Sequence, residues 1–427
     1  MDRRTFMDAL LEAAEARGLE AEAYADMSEA FEASVSEGGL ERYESARGGG
    51  LSLRVNLDGR CGYAYTERFE DAEALLLRAL DNARAIEAEE AQPMQGRCDY
   101  AAAERPALKL MAMSEAEKIE LALALERETL AQDARITRCV YCNVCTGSRE
   151  IWIRNTRGLD AARSSAFAFS YVMPAAEEAG ELQTGFGFRL MDEAADIAGC
   201  AREAAAEALG RLNARPVASG SYRVVVQNLA MAELLNAFMP MFSAEEAQKG
   251  CSLLKGREGE PIGADCVTVI DDPFHPIAPR AFDDEGTPCR RKSLVENGIL
   301  RTLLHNLKTA KKAGVLSTGN ASRAGAASPV SAAPSVWYIE PGGTGFEALL
   351  GALGDGLLIT ELTGLHAGLS AISGDFSLKA SGFLVEKGIK TRPVGHITLA
   401  GNFLKLLREV ERVGDDLRFM EPGRCYT

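Results

Sequence analysis

Four histidines in 427 residues is the first scarcity. They are His275, His305, His366 and His396, and no two lie within one helical turn. An H-E-x-x-H zinc helix needs two imidazoles on one face beside a carboxylate base, so the sequence does not encode one. The phosphate loop G-x-x-x-x-G-K-[ST] and the dinucleotide fingerprint G-x-G-x-x-G are also missing, which argues against a nucleotide loop. No G-x-S-x-G nucleophile elbow occurs. Positive charge is short as well: 47 Lys and Arg face 62 Asp and Glu, a net charge of −15. Phosphate backbones demand clustered cations, so a nucleic-acid binder is disfavoured. The one dense basic run, Arg290-Arg291-Lys292, follows Asp283-Asp284-Glu285 and reads first as a solvated face, second as a partner contact. No run reaches the ~18 apolar residues of a membrane span. The N-terminus places Phe6, Leu10 and Ala14 at helical spacing between glutamates. It therefore reads as an amphipathic helix of a cytoplasmic protein and not as a signal peptide.

Ten cysteines are scattered along the chain, and free thiols in a reducing compartment are expected. Cys139, Cys142 and Cys145 do show a C-x2-C-x2-C spacing that can feed a metal cluster. Their flanks read as two strands around Thr146-Gly147-Ser148, which would set Cys139 and Cys145 on one side and Cys142 on the other. That arrangement splits the ligands, so small residues filling a strand is the preferred reading.

What is present is an α+β pattern. A helix over 1–17 precedes short extended segments from Ala21 to about Glu67, with turns at Glu37–Gly39, Gly48–Gly50 and Asp58-Gly59, and a helix follows to about Glu89. This gives an N-terminal domain over 1–90 and a proline-containing linker over 91–113. Ser114 and Glu117 form a capping box that opens a second helix–sheet–helix unit over 114–215. Residues 216–427 alternate short strands with Gly, Asn and Pro turns, which predicts a mainly-β third domain. Its helices are expected over 228–250, capped by Asn228, and over 401–412.

Ser–His–Asp chemistry is conceivable in GLHAGLSAISGDFSLKASG (364–382), where His366, Ser370, Asp375 and Ser377 are close in sequence. A triad is defined by geometry, however, and a Gly/Ser loop beside a strand is usually a turn.

Several segments together resemble the TldD/TldE (PmbA) family, once called modulators of DNA gyrase and understood as peptide-processing metallopeptidases. They are the run from Gly364 to Leu417, DDEGTPCRRKSLVENGIL (283–300), LSTGNASRAG (316–325), MFSAEEAQKG (241–250) and RGGGLSLRVNLDGRCGYAYT (47–66). The similarity spans nearly the whole chain and is closest to the TldE/PmbA branch. It implies two related subunits, of which the TldD-like one holds zinc on an H-E-x-x-x-H helix with a downstream cysteine. The corresponding segment here, MAELLNAFMPMF (231–242), has no histidine. Cys425 falls near the position of the zinc cysteine but lacks imidazole partners. No cofactor is therefore expected in this chain, with zinc only in a TldD-like partner. The family also implies a final strand past the end of this sequence. On this reading the chain walls a chamber for an extended peptide, and His366, Ser370, Ser373, Asp375 and Ser377, with Asn320, are the candidate peptide contacts. A homodimer is possible for the isolated chain. Two alternatives stand beside it: a stand-alone hydrolase with a Ser or Cys nucleophile and His366 or His396 as base, and a non-enzymatic regulatory binding protein.

Overall fold

The computed structural model describes residues 1–87, 92–103 and 107–419. The N-terminal half is one seven-stranded antiparallel sheet. Its strands are β1 (Glu20–Ser36), β2 (Gly39–Leu57), β3 (Arg60–Thr66), β4 (Ile136–Asn155), β5 (Asp160–Glu178), β6 (Glu181–Thr184) and β7 (Gly187–Leu190), in the order β3-β2-β1-β4-β5-β6 with β7 also on β5. The helix–sheet units expected over 1–90 and 114–215 share this sheet, because β1 pairs with β4 from Glu22↔Asn155 to Ser34↔Asn143.

All helices of this half cover one face. Ala21, Ala23 and Ala25 of β1 and Leu51, Leu53 and Val55 of β2 meet α1 (Arg3–Glu15) and α2 (Ala72–Ala85). Val35, Val144, Ala168 and Val172 meet α4 (Glu115–Leu130) and α5 (Ile197–Gly210), with the short α3 (Lys109–Ala112) between the two groups in sequence. The period-2 alternation of a strand leaves the other face to Glu22, Tyr24, Asp26 and Arg54. The capping box at Ser114 forms as expected.

Two expected turns are strand interiors. Gly48–Gly50 lies in the middle of β2, opposite Asp26–Ser28. Gly49 has φ 144°, and a Cβ there would collide with the Asp26 carbonyl. Thr146-Gly147-Ser148 likewise sits inside the 20-residue β4, where a Cβ on Gly147 would run into the Phe167 ring. Both glycines mark close approach of a neighbour and not a chain reversal. The cysteine expectation changes too. A bulge between Cys139 and Tyr141 turns Cys139 and Cys142 toward α4 together, while Cys145 faces the opposite way. Burial raises the Cys139 thiol to about 12, and raises Cys142 as well.

The C-terminal half contains more helix than the strand pattern suggested. In chain order it comprises β8 (Val224–Val226), α6 (Asn228–Ala237), α7 (Ala244–Lys249), β9 (Val269–Asp271), β10 (Lys292–Glu296), β11 (Ile299–Leu300), α8 (Leu307–Ala313), β12 (Ala321–Ser322), β13 (Ser331–Ala332), β14 (Trp337–Ile339), α9 (Phe346–Leu353), β15 (Gly356–Thr363), β16 (Asp375–Glu386), β17 (Ile389–Asn402) and α10 (Phe403–Arg408). The strands make two four-stranded sheets, β11-β10-β9-β14 and β17-β16-β15-β8, and a β12–β13 pair. One core joins both sheets to α6, centred on Leu234, Phe238, Phe242, Trp337 and Phe403. Asn228 is the first residue of α6 and not its cap: its Nδ2 donates to the Asp416 carbonyl at 2.8 Å. Within the Arg290–Lys292 run, Arg290 and Arg291 are exposed as expected, while Lys292 turns inward and donates to the fully buried Asp271 at 2.7 Å.

The bare face of the large sheet is where the halves lock. Arg54 and Arg323 both pair with Glu22, at 2.9 and 3.4 Å. Asp284 accepts from Arg163 at 2.6 Å and from the Arg323 backbone N–H at 2.7 Å. Tyr100 of the expected linker packs here too, donating to the Gly286 carbonyl at 2.8 Å. No helix among the described residues is long and apolar enough to cross a membrane.

Candidate functional site

The sheet β17-β16-β15-β8 has two edge strands, and both line the same cleft. The sheet must therefore curl. Three register shifts permit it, one between β15 and β16 and two between β16 and β17, because bulges bend a strand. At Gly382 a Cβ would collide with the Leu358 carbonyl, which fixes glycine at the tightest approach. The cleft has a volume of about 1280 Å3.

Met231 and Ala232 of α6 form its floor with Leu357 and Phe376. Phe376 packs edge-on against Phe238, which in turn stacks on Phe403 at 4.5 Å. The apolar floor is thus an extension of the core. Val224–Val226 runs along one side and His396–Asn402 along the other. His396 is held at φ 54° in the bulge of β17, a conformation costly for a non-glycine residue and worth noting in a cleft wall. Arg223, Arg412, Glu409 and Glu411 give the rim both signs of charge.

The sequence-predicted residues are only partly gathered. Residues 364–374 form the turn before β16, so the Gly/Ser stretch is a turn followed by a strand. Within it the Ser370 hydroxyl accepts from the Ser373 N–H and the Ser373 hydroxyl from the Asp375 N–H, each at 3.3 Å. Asn402 then donates to the Ser373 carbonyl at 3.0 Å and to the Asp375 carboxylate at 2.9 Å. These bonds hold the Asp375 carboxyl below the usual range, the Asn402 bond most of all. Asn402 lines the cleft, so the turn is fastened to its rim. His366, Ser373, Asp375 and Ser377 are exposed. His366 donates to neither Ser370 nor Asp375, and no triad is assembled. Asn320 is elsewhere and fully buried, donating to Asp271 at 2.7 Å and to the Ala333 carbonyl at 3.1 Å. Cys425 lies outside the described residues.

Sequence reasoning missed the cleft itself and Glu233. Burial raises the Glu233 carboxyl to about 7, with the Glu361 carboxylate on β15 adding to the effect. The only signal was an acid at an otherwise apolar stretch of α6.

Three family models cover most of the chain: "PmbA/TldA metallopeptidase domain 1" over residues 21–86, the central domain over 109–212 and the C-terminal domain over 219–427. A crystal structure from Thermotoga maritima, titled a putative modulator of a DNA gyrase, superposes with a TM-score of 0.92 at 32% identity, covering 100% of this chain and 97% of its own. The chain belongs to the PmbA/TldD family. Metalloprotease PmbA of Escherichia coli O157:H7 is 28% identical over 97% of this chain and 92% of its own length. TldE from Thermococcus kodakarensis shares the fold, with a TM-score of 0.90 at 24% identity over 99% of this chain and 97% of that one.

A PmbA/TldD metallopeptidase name raises the question of zinc. His396 is the one histidine among the described residues lining the cleft, and α6 lines it with Asn228, Met231, Ala232 and Leu234. Among the described residues no three His, Cys, Asp or Glu side chains gather as a metal site. Structural and catalytic zinc sites take at least three protein ligands.

Proposed function

We propose that this chain is the zinc-free, TldE/PmbA-like subunit of a two-subunit cytoplasmic peptidase. It walls the chamber and holds an extended substrate, while a TldD-like partner carries the hydrolytic site. The observation that carries the reading is α6: it borders the cleft with Met231 and Ala232 and has no histidine anywhere along it.

The rest of the cleft suits a peptide. An extended chain pairs with an exposed strand edge through its own backbone, so β8 and β17 offer sequence-independent binding. Met231, Leu357 and Phe376 would receive apolar side chains on one face of the substrate. The turn carrying Ser373 and Asp375 would border the entrance.

The test is metal content and peptidase activity of the purified chain, alone and mixed with a TldD-like subunit. The expected result is no stoichiometric zinc and no turnover alone, with turnover in the mixture. One zinc per chain, or turnover by the chain alone that survives chelation, would sink the proposal.

A further inference from the structure

The outer edge of the large sheet is only half covered. β3 pairs with β2 from Leu51↔Thr66 to Leu57↔Arg60. The earlier part of β2, residues 39–49, pairs with β1 on one side and with no strand among the described residues on the other. Every residue of that stretch is exposed. Such an edge presents a row of backbone N–H and C=O groups to any strand that can reach it. Two of its side chains are large and apolar for so open a place: Leu40 is 47% exposed and Tyr43 44%.

Edges are commonly guarded by proline or by charge. No proline occurs in GLERYESAR (39–47), and the charges are Glu41, Arg42, Glu44 and Arg47. Their order favours a second copy of the same strand. Two copies that join antiparallel about a twofold axis, each face of the sheet staying on its own side, place the axis at a residue. With Tyr43 on the axis, Arg42 lies opposite Glu44 of the second copy, and Glu44 opposite its Arg42. Leu40 then meets Ala46, the two tyrosines meet each other, and no like charges face one another. Moving the axis to Arg42 or to Glu44 sets that charge against itself, which is destabilising.

β3 fits the same register. The second strand would begin at its Gly39, opposite Arg47, and Gly48, Gly49 and Gly50 leave room for its turn at Glu37-Gly38 before β3 takes over at Leu51. Arg42 is already engaged, donating to Glu32 of its own chain at 2.5 Å. A guanidinium carries five N–H donors, so it can hold a second carboxylate beside the first. Ser34↔Arg42 and Glu32↔Glu44 are alternate pairs of the β1–β2 ladder, which puts Glu32, Arg42 and Glu44 on one face of the sheet.

We propose that β2 pairs with β2 of a second copy over residues 39–47, with Tyr43 on the twofold axis and Arg42 bonded to Glu44 of the second copy, so that two large sheets join into one. The surface shares no residue with the cleft at α6, and the proposal does not rest on the peptidase reading.

Sedimentation equilibrium of the full chain alone, from about 1 to 100 μM, tests it. The expected mass at the upper end is twice the chain's 45.8 kDa. Glu44→Arg and Arg42→Glu should each weaken the dimer at least about tenfold, because each sets like charges opposite one another. Mixing the two variants should restore it, since every arginine of one then faces a glutamate of the other. Thermal melts establish that each variant folds, and a misfolded variant could not rescue its counterpart. A chain that stays monomeric overturns the proposal. So does a dimer that neither variant weakens, or one that the mixture fails to restore. If the chain is monomeric and Glu44→Arg instead weakens assembly with a TldD-like subunit, the edge belongs to that subunit and self-pairing is refuted.

Discussion

Replacing Asp284 by asparagine should loosen the junction between the two halves of the molecule. Asp284 is 3% exposed. It takes the Arg163 guanidinium at 2.6 Å, the Arg323 N–H at 2.7 Å and the Tyr24 hydroxyl at 3.4 Å. Burial alone would raise its carboxyl, but Arg163, Arg280 and Arg149 outweigh burial and hold it below the usual range. Asparagine keeps the shape and an acceptor and removes the charge. Opposite unit charges about 4 Å apart in a partly screened site attract by about 4 kcal/mol, and breaking a buried pair costs about 3–5 kcal/mol. Arg163 retains some solvent at 17% side-chain exposure, so the lower end of that range, about 3 kcal/mol, is expected. The sign with pH is fixed. A depressed carboxyl stabilises fully above its ordinary value of about 3.9 and loses that share only as pH falls through the lower folded value. The gap between wild type and Asp284→Asn should therefore be constant from pH 5 to 8. The chain has two tryptophans, Trp152 on β4 and Trp337 on β14. Urea unfolding of Trp152→Phe and Trp337→Phe backgrounds reads each half separately. Both midpoints should drop. A loss below about 0.5 kcal/mol, or a gap that closes by pH 8, would refute the reasoning.

Three further outcomes follow from the same structure. Glu285 has its folded value raised to about 7, so its contribution to stability is complete below its unfolded value and fades as pH rises toward 7; Glu285→Gln should flatten the decline in urea midpoint between pH 5 and 8, and an unchanged slope would count against it. Gly147→Val drives a side chain into Phe167 and should cost about 2 kcal/mol, whereas Gly343→Ala, with open space around it, should stay within about 0.5 kcal/mol; equal effects in thermal melts would mean β4 does not pass that close to β5. Thiol labelling of the folded protein at pH 7.5, mapped by mass spectrometry, should modify the exposed Cys266 and spare Cys139, Cys142 and Cys200 until urea is added. Labelling of those three in the folded state would contradict their buried, neutral setting.

The α+β class and the amphipathic helices were legible because helical spacing and capping are local. α1, α2 and α4 follow directly from apolar positions and caps that a dozen residues contain. Long strands were not legible at their glycines. Gly49 and Gly147 resemble turn residues in sequence, and only the partner strand shows that they clear space for Asp26 and Phe167. The C-x2-C-x2-C geometry failed for a similar reason: a one-residue bulge at the start of β4 reverses which cysteines share a face. α8 and α9 were missed because seven- and eight-residue helices carry barely two turns of periodicity.

The same contrast governs the site. Which side chains α6 carries is a matter of composition that a sequence states outright. Where a cleft opens depends on how far a sheet curls. The curl of β15–β17 arises from bulges and from one glycine at Gly382, each of which concerns two strands at once. The predicted loop is a turn leading into β16, because glycine, serine and aspartate at 364–377 can satisfy one another's backbone there. Yet those internal bonds occupy the polar atoms that a peptide would need. If the cleft receives a substrate, the binding groups are the free edges of β8 and β17 and the apolar floor at Phe376. Phe376→Ala should then weaken peptide binding more than Ser373→Ala does, and fluorescence anisotropy with a labelled extended peptide would tell the two apart. The reverse order would return the contact role to the loop.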